Sequence, residues 1–187
     1  MGAIVLLVLL VVAGLWFVAA YNRLIALKNN VVNAWKQIDV QLKRRHDLIP
    51  NLVNTVKGAM NFEKETLEAV TAARTRALGA SGVKETAKAE GELTQALGRL
   101  FAVSEAYPDL KATGNVAQLQ EELASTENKI TFARQAYNDL ATEYNTAQQQ
   151  FPTSFVAGFA KAVPAELWEI EDAGERAVPN VDLSMGK

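Results

Sequence analysis

Residues 115–150, NVAQLQEELASTENKITFARQAYNDLATEYNTAQQQ, decide the fold of this chain. Asn115 stands as an N-cap with Gln118 three residues later, a capping-box arrangement that satisfies the first free backbone amides of a helix. Apolar or small side chains then recur in alternating steps of four and three over about four heptads, which is the pattern of a coiled-coil seam. The seam consists of Leu119, Leu123, Thr126, Ile130, Ala133, Tyr137, Leu140, Tyr144 and Ala147. It predicts one long helix that packs lengthwise on another.

Two earlier segments carry the matching stripes. Steps of three and four predict a first helix, and its apolar positions are Leu24, Leu27, Val31, Trp35, Ile38, Leu42, Ile49, Val53, Val56 and Met60. Because Pro50 removes a backbone donor, we expect a kink there with helix resuming to about Leu78; a full turn, with Asp47 as N-cap, is the alternative. A loop at 79–82 precedes a second helix at about 84–106, whose stripe is Leu93, Leu97, Leu100 and Val103.

The first helix is preceded by an unbroken apolar stretch from Ala3 to Ala20. Eighteen helical residues span roughly 27 Å, close to the hydrocarbon thickness of a bilayer. The expected anchor residues are Ala3, Leu6, Leu9 and the interfacial aromatics Trp16, Phe17 and Tyr21. A cleaved signal peptide is the rival interpretation, but it requires a basic region before the apolar core, and Met1-Gly2 offers no basic side chain.

The sequence therefore predicts an all-α fold. We expect a transmembrane anchor at 1–21 that continues into an antiparallel three- to four-helix bundle at 22–152 with coiled-coil-like packing. Its helices lie at about 22–78, 84–106 and 115–150. A partly ordered acidic tail follows at 153–187. It contains Phe155, Phe159 and Trp168, which we expect to dock the tail, and the acidic cluster Glu166, Glu169, Glu171, Asp172 and Glu175.

Side chains with recognisable chemistry are few. The chain has one histidine, His46, and no cysteine, and it carries no phosphate-binding or dinucleotide-binding motif. A lone histidine between charged neighbours is usually a solvated residue. We expect no enzymatic activity, no catalytic residues, no metal, no cofactor and no small-molecule substrate. Nucleic acid is disfavoured as a partner because the pI is about 5.5.

Charge is unevenly distributed along the chain. Residues 21–60 carry a net charge of +5 and residues 61–187 carry −7. Since basic residues near a span stay on the cytoplasmic side, we expect the N-terminus outside and the body in the cytosol. The triplet Lys43, Arg44 and Arg45 is interpreted as a site for anionic headgroups or an acidic partner, or as a solvated face with salt bridges to Asp39 and Asp47.

Three asparagines, Asn128, Asn138 and Asn145, flank or adjoin the seam. Amides in such positions cost stability unless paired, and they fix register and partner. The Tyr137-Asn138 and Tyr144-Asn145 pairs are one heptad apart, so both lie on the same face. They predict amide–phenol contacts between helices, or they cap the edge of the core.

The sequence also resembles the LemA family of bacterial membrane proteins. The matching motifs are Tyr21-Asn22, Ala34-Trp35, residues 38–45, 47–53 and 55–58, and, in the second half, Leu119-Gln120, Glu122-Leu123, residues 126–128, Ile130, Ala133-Arg134, Tyr137-Asn138, Tyr144-Asn145 and Phe151-Pro152. Lys129 and residues 59–62 depart from the usual family pattern. The resemblance implies a single N-terminal span in the bacterial inner membrane and an antiparallel helical bundle. It brings no assigned reaction.

Two functions of different class follow. The first is a membrane-anchored scaffold that self-assembles and shapes membrane or organises membrane-protein partners; the alternative is an adaptor or regulator of a membrane protease or signalling protein. A helix from Tyr21 to Leu78 would extend about 87 Å, against about 52 Å for the longest partner helix, which leaves an apolar strip short of cover. We therefore expect membrane lipid and further copies of the chain as partners, with interface candidates Leu24, Leu27, Val31, Trp35, Lys43, Arg44, Arg45, Phe155 and Phe159.

Overall fold

The computed structural model describes residues 1–57, 64–107 and 114–169. Within these ranges the chain forms helices and no strand: α1 at Gly2–Lys57, α2 at Lys64–Gly79, α3 at Val83–Ser104, α4 at Gly114–Gln149 and α5 at Thr153–Phe159. The predicted all-α fold, with an apolar N-terminal helix that continues into a helical bundle, is confirmed. Residues 170–187 lie outside the described residues, and with them Glu171, Asp172 and Glu175 of the acidic cluster.

The N-terminal part of α1 stands apart from the bundle. Residues 1–16 are all exposed, and the expected anchor residues Ala3, Leu6, Leu9 and Trp16 are among them. Of the described helices, α1 alone is long and apolar enough to cross a membrane, and 6% of its most apolar window is buried. Exposed valine and leucine on every side of a helix are typical of a segment that lies in lipid.

The remainder of α1 pairs with α4 in antiparallel fashion. Trp35 contacts Tyr137, and Arg45 contacts Glu127, so an advance of ten residues along α1 matches a retreat of ten along α4. Carried along both helices, this register brings the 36 residues of α4 against α1 from about Arg23 to its end. The seam position Ile130, for example, is buried against this part of α1.

The predicted helix from 22 to 78 is wrong, because α1 ends at Lys57 and α2 folds back onto it. Arg74, ten residues into α2, reaches the backbone carbonyl of His46, eleven residues before the end of α1. Pro50 lies inside α1 rather than at a break. The helix tolerates it because the carbonyl that Pro50 leaves without a helical donor is that of His46, and the Arg74 Nε–H donates to it at 2.8 Å.

Two apolar cores lie one above the other along α1. The membrane-distal core packs the end of α1 against the α2–α3 hairpin and the start of α4, through Leu52, Val70, Leu93 and Leu100 among others. The membrane-proximal core packs the middle of α1 against the rest of α4, α5 and Trp168. The bundle is therefore thick at its distal end, and close to the anchor it consists of two long helices with a covering segment.

That covering segment begins with α5. Val156 and Ala157 are buried against the membrane-proximal core, and the chain then has no regular secondary structure from Ala162 to Glu169. We call residues 165–168 the strap. The predicted tail thus has fixed structure up to residue 169, since its aromatic side chain Trp168 is buried.

Candidate functional site

The strap is held by three side chains of α4, which we call the amide clamp: Tyr137, Asn138 and Asn145. Asn145 pairs with both backbone groups of Ala165: its Oδ1 accepts from the N–H at 2.8 Å, and its Nδ2 donates to the carbonyl at 2.9 Å. Asn138 repeats this arrangement with Trp168, at 2.8 and 3.0 Å. Each amide therefore satisfies a donor and an acceptor of an extended segment, as a neighbouring strand would.

Between the two amides, the Tyr137 hydroxyl donates to the Glu166 carbonyl at 2.7 Å. Burial, and next the negative charge of Glu166, raise the pKa of Tyr137 above its ordinary value of 10.0. The hydroxyl therefore keeps its proton and remains a donor throughout the physiological range. The predicted role of the tyrosine–asparagine repeat in fixing a partner is realised on the strap, whereas the predicted amide–phenol contact is not the arrangement that forms at these atoms.

Trp168 anchors the end of the strap. Its ring centroid lies 5.9 Å from that of Trp35, and the Arg134 guanidinium carbon lies 5.3 Å above the ring. Trp35 in turn meets Tyr137 edge-on at 5.5 Å. This aromatic cluster closes the flank of the α1–α4 pair on which the amide clamp stands.

A second polar group lies in the interior further from the anchor. We call Arg45, His46, Glu90 and Glu127 the ion cluster. The Glu90 carboxylate accepts from Arg45 at 3.4 Å and is hydrogen-bonded to His46 Nε2 at 2.6 Å. Arg45 also donates to Thr94 at 2.8 Å and pairs with Glu127 at 2.9 Å. The cluster joins α1, α3 and α4 at one level.

The ion cluster corrects two interpretations of the sequence. His46 is 6% exposed rather than solvated, and Arg45 is 3% exposed rather than part of a charged surface. The charged partners of Arg45 are Glu90 and Glu127, not Asp39 and Asp47. The α2–α3 hairpin explains this difference, because it covers a second face of α1. Lys43 and Arg44 remain exposed.

The structure also covers most of the apolar strip that the sequence left open. Leu24, Leu27 and Val31 are buried in the membrane-proximal core. Trp35 is half-buried under the strap. The expectation of an uncovered strip at these residues is therefore wrong, since α4 reaches the anchor and the strap covers what α4 leaves.

A different face of the same helices is open. We call it the open flank. Because successive residues of a helix are rotated by about 100°, it lies on one side of the buried stripe, and Trp35 and the amide clamp lie on the other. It contains a shallow groove between α1 and α4 that is lined by Asn30, Asn33, Ala34, Gln37, Ala133, Ala136 and Leu140. Further round this side, Val40 and Phe132 are exposed at 58% and 72%. No other described helix packs on this groove.

The membrane-proximal end carries an outward-facing apolar group. We call Phe151, Phe155, Phe159 and Val163 the aromatic foot; each is between 72% and 81% exposed. Phe159 meets Phe17 of the anchor edge-on at 5.5 Å, and Phe155 meets Phe151 at 5.9 Å. Tyr21 lies nearby on α1 and is 37% exposed.

The chemistry available to these groups is limited. Among residues 1–57, 64–107 and 114–169, no three His, Asp or Glu side chains are placed to hold a metal ion. Glu90 and His46 form a hydrogen-bonded pair, but both are buried and Arg45 and Arg74 surround them. The arrangement is suited to fixing helices relative to one another.

Comparison with known proteins gives one consistent result. The protein-family model described as LemA family matches residues 34–183 of the sequence. Protein LemA of Metamycoplasma hominis is 32% identical over 143 residues, which cover 75% of this chain and 65% of that protein. Magnetosome protein MamQ 2 of Paramagnetospirillum magneticum is 23% identical over 184 residues, 84% of this chain and 68% of that protein. MamQ of Magnetospirillum gryphiswaldense matches at the same identity and extent. The chain thus spans slightly less than two thirds of the Metamycoplasma protein, and none of these names states a reaction.

Proposed function

The chain belongs to the LemA family, as a membrane-associated protein of that type, and from this premise we propose that it is a membrane-anchored helical scaffold that pairs with copies of itself through the open flank. The single observation that supports pairing is the groove between α1 and α4 on this flank. The proposal assigns the chain no reaction, no cofactor and no nucleic-acid partner.

Small side chains line the centre of the groove, at Ala34, Ala133 and Ala136. Small residues let a further helix approach closely, and the exposed Val40 and Phe132 beside them provide apolar area to bury. The strap closes the flank of the α1–α4 pair on the other side of the stripe. The open flank is therefore the side on which a neighbouring copy can bury the most apolar area.

Membrane anchoring favours a specific symmetry. Two copies that share one bilayer and one orientation are related by an axis parallel to the membrane normal. A two-fold axis in this direction brings open flank against open flank at the same height, which is an isologous contact. Paired flanks leave the α2–α3 ends, with their exposed charges, free to meet membrane-protein partners.

The topology included in the proposal is a single span in the bacterial inner membrane, with the N-terminus outside and the body in the cytosol. It rests on the excess of basic residues just after the anchor. A cysteine at Gln135, which is exposed and lies off the proposed pairing surface, should then react in intact cells with maleimides that cross membranes and resist those that do not. Labelling by the impermeant reagent would show the opposite orientation, with the body outside the cytosol.

Pairing is tested by cross-linking the full-length protein in membranes, where the chain has no native cysteine. Ala136→Cys places the thiol on the open flank, and Gln135→Cys places it one residue away, about 100° round the helix. We expect a cross-linked dimer from the first variant under mild oxidation and little from the second. Equal yields would contradict pairing through this flank. Cross-linking of Ala136→Cys to a different protein would instead favour the adaptor function.

A further inference from the structure

We propose that the aromatic foot is a second membrane contact, inserted into the headgroup and upper acyl region of the same leaflet from which α1 emerges. The occupant of this surface is lipid. The inference goes beyond pairing and rests on the membrane anchor of the proposed function.

The depth of the foot follows from its contact with the anchor. Phe159 touches Phe17, which lies three residues before the end of the apolar stretch at Ala20, about 4.5 Å inside it. The first charged side chain after the stretch is Arg23. The boundary of the hydrocarbon therefore lies between these two levels of α1, and Phe159 stands on its apolar side.

The start of α5 also lies beside the end of the span. A cleft of about 220 Å³ is lined by Trp16, Ala20 and Arg23 of α1, by Gln150, which precedes α5, and by Thr153 at the start of α5. Both ends of α5 thus meet the last turns of the span. The short helix therefore stays beside the end of the span along its whole length.

The side chains of α5 fit this placement on both faces. Val156 and Ala157 are buried in the membrane-proximal core, whereas Phe155 and Phe159 are exposed on the outward face. A helix with apolar residues on both faces needs an apolar neighbour on each side. The protein provides one, and the bilayer next to Phe17 provides the other.

The four residues of the foot recur every four positions, at 151, 155, 159 and 163. Phenyl rings that reach this depth are removed from water, while the polar backbone groups at the helix ends stay at the level of the headgroups. Lys161, which is exposed within the same stretch, extends far enough to meet headgroup phosphates while its stem stays apolar. The foot thereby fixes the angle at which the bundle stands on the membrane.

The test uses the full-length protein in vesicles of phosphatidylcholine and phosphatidylglycerol, at about one copy per vesicle so that self-contact is suppressed. Separate Phe155→Cys and Phe151→Cys variants are labelled with an environment-sensitive fluorophore. Phe132→Cys is the matched control, because Phe132 is as exposed as Phe155, both at 72%. It lies level with Val40, about 30 Å beyond Ala20 along α1.

We expect blue-shifted emission at positions 151 and 155, and loss of that emission with lipids that carry a nitroxide high on the acyl chain. The label at 132 should respond to aqueous iodide and not to those lipids. Iodide quenching at 151 and 155 equal to that at 132, in protein that floats with the vesicles, would overturn the foot while leaving the anchor intact. Shielding from iodide that appears only at high protein density, without lipid quenching, would also overturn it, because a second copy would then be the occupant. Protein that does not float would contradict the anchor itself.

Discussion

The two ends of the bundle use different polar chemistry for the same task. Near the membrane, neutral amides of Asn138 and Asn145 hold backbone groups of the strap. Far from it, the charged groups of Arg45 and Glu90 hold three helices together. In both places apolar stripes give the packing, and the polar contacts decide which element lies where.

The difference follows from what each end has to hold. An extended segment presents unpaired N–H and C=O groups, and a side-chain amide matches one of each without a charge to desolvate. Helices have already paired their backbone groups, so α1, α3 and α4 offer only side chains to one another. A buried guanidinium with several donors can bridge such helices, provided that every charge finds a partner.

The largest expected effect is at the distal end. Arg45→Leu leaves Glu90 buried with only His46 beside it, and we expect the free energy of unfolding to fall by about 3–5 kcal/mol. Urea denaturation of the full-length protein in detergent, followed by circular dichroism, measures the loss. Arg44→Leu is the control, because Arg44 is exposed, and it should change stability by no more than about 0.5 kcal/mol.

The same site allows a sharper version of this test. If the ion cluster provides specificity more than stability, replacing Arg45, His46 and Glu90 together by apolar residues should recover much of the loss. Equal unfolding midpoints for Arg45→Leu and Arg44→Leu would show that the charges at this end are dispensable.

A smaller effect is expected at the membrane-proximal end. Asn138→Ala removes two hydrogen bonds to the Trp168 backbone, and we expect a cost of about 1–3 kcal/mol that falls mainly on the strap. Limited proteolysis should then cut between α5 and residue 169 earlier, with a red shift in tryptophan emission as Trp168 meets water. Asn128→Ala, at an exposed position on the same helix, should change neither. Unchanged proteolysis in Asn138→Ala would mean that the packing of Trp168, with the bonds from Tyr137 and Asn145, holds the strap without Asn138.

Much of the architecture could be read from the sequence because apolar spacing reports which face of a helix is buried. The seam residues Leu123 and Ile130 are buried, and α3 and α4 begin and end within two residues of the predicted bounds. The ion cluster also has a signal in the apolar spacing of α1 that could have predicted it. The α1 stripe has no apolar residue at the positions three and four residues after Leu42, and Arg45 and His46 occupy those two positions.

Other features could not be derived from periodicity. An apolar stripe does not identify the element that packs on it. The strap contacts residues of α4 that lie 20–30 positions earlier in the chain, and no periodic pattern in the sequence predicts those contacts. The predicted uncovered strip is wrong for a related reason. It depends on one helix from Tyr21 to Leu78. Both alternatives at Pro50, a kink and a full turn, place the change of direction too early, since α1 continues to Lys57.

The smallest effect tests why α1 continues through Pro50. Arg74→Leu leaves the His46 carbonyl without a donor, and we expect a cost of about 1 kcal/mol. In a Pro50→Ala background the restored backbone N–H at position 50 donates to that carbonyl, so the same Arg74→Leu change should be nearly neutral. The double-mutant cycle should therefore give a coupling energy of about 0.5–1.5 kcal/mol between positions 50 and 74. Arg76→Leu is the matched control: it breaks the surface pair with Glu92 and should cost the same in both backgrounds. A coupling energy near zero for Arg74, equal to that for Arg76, would mean that packing of α2 rather than this hydrogen bond lets the helix continue through the proline.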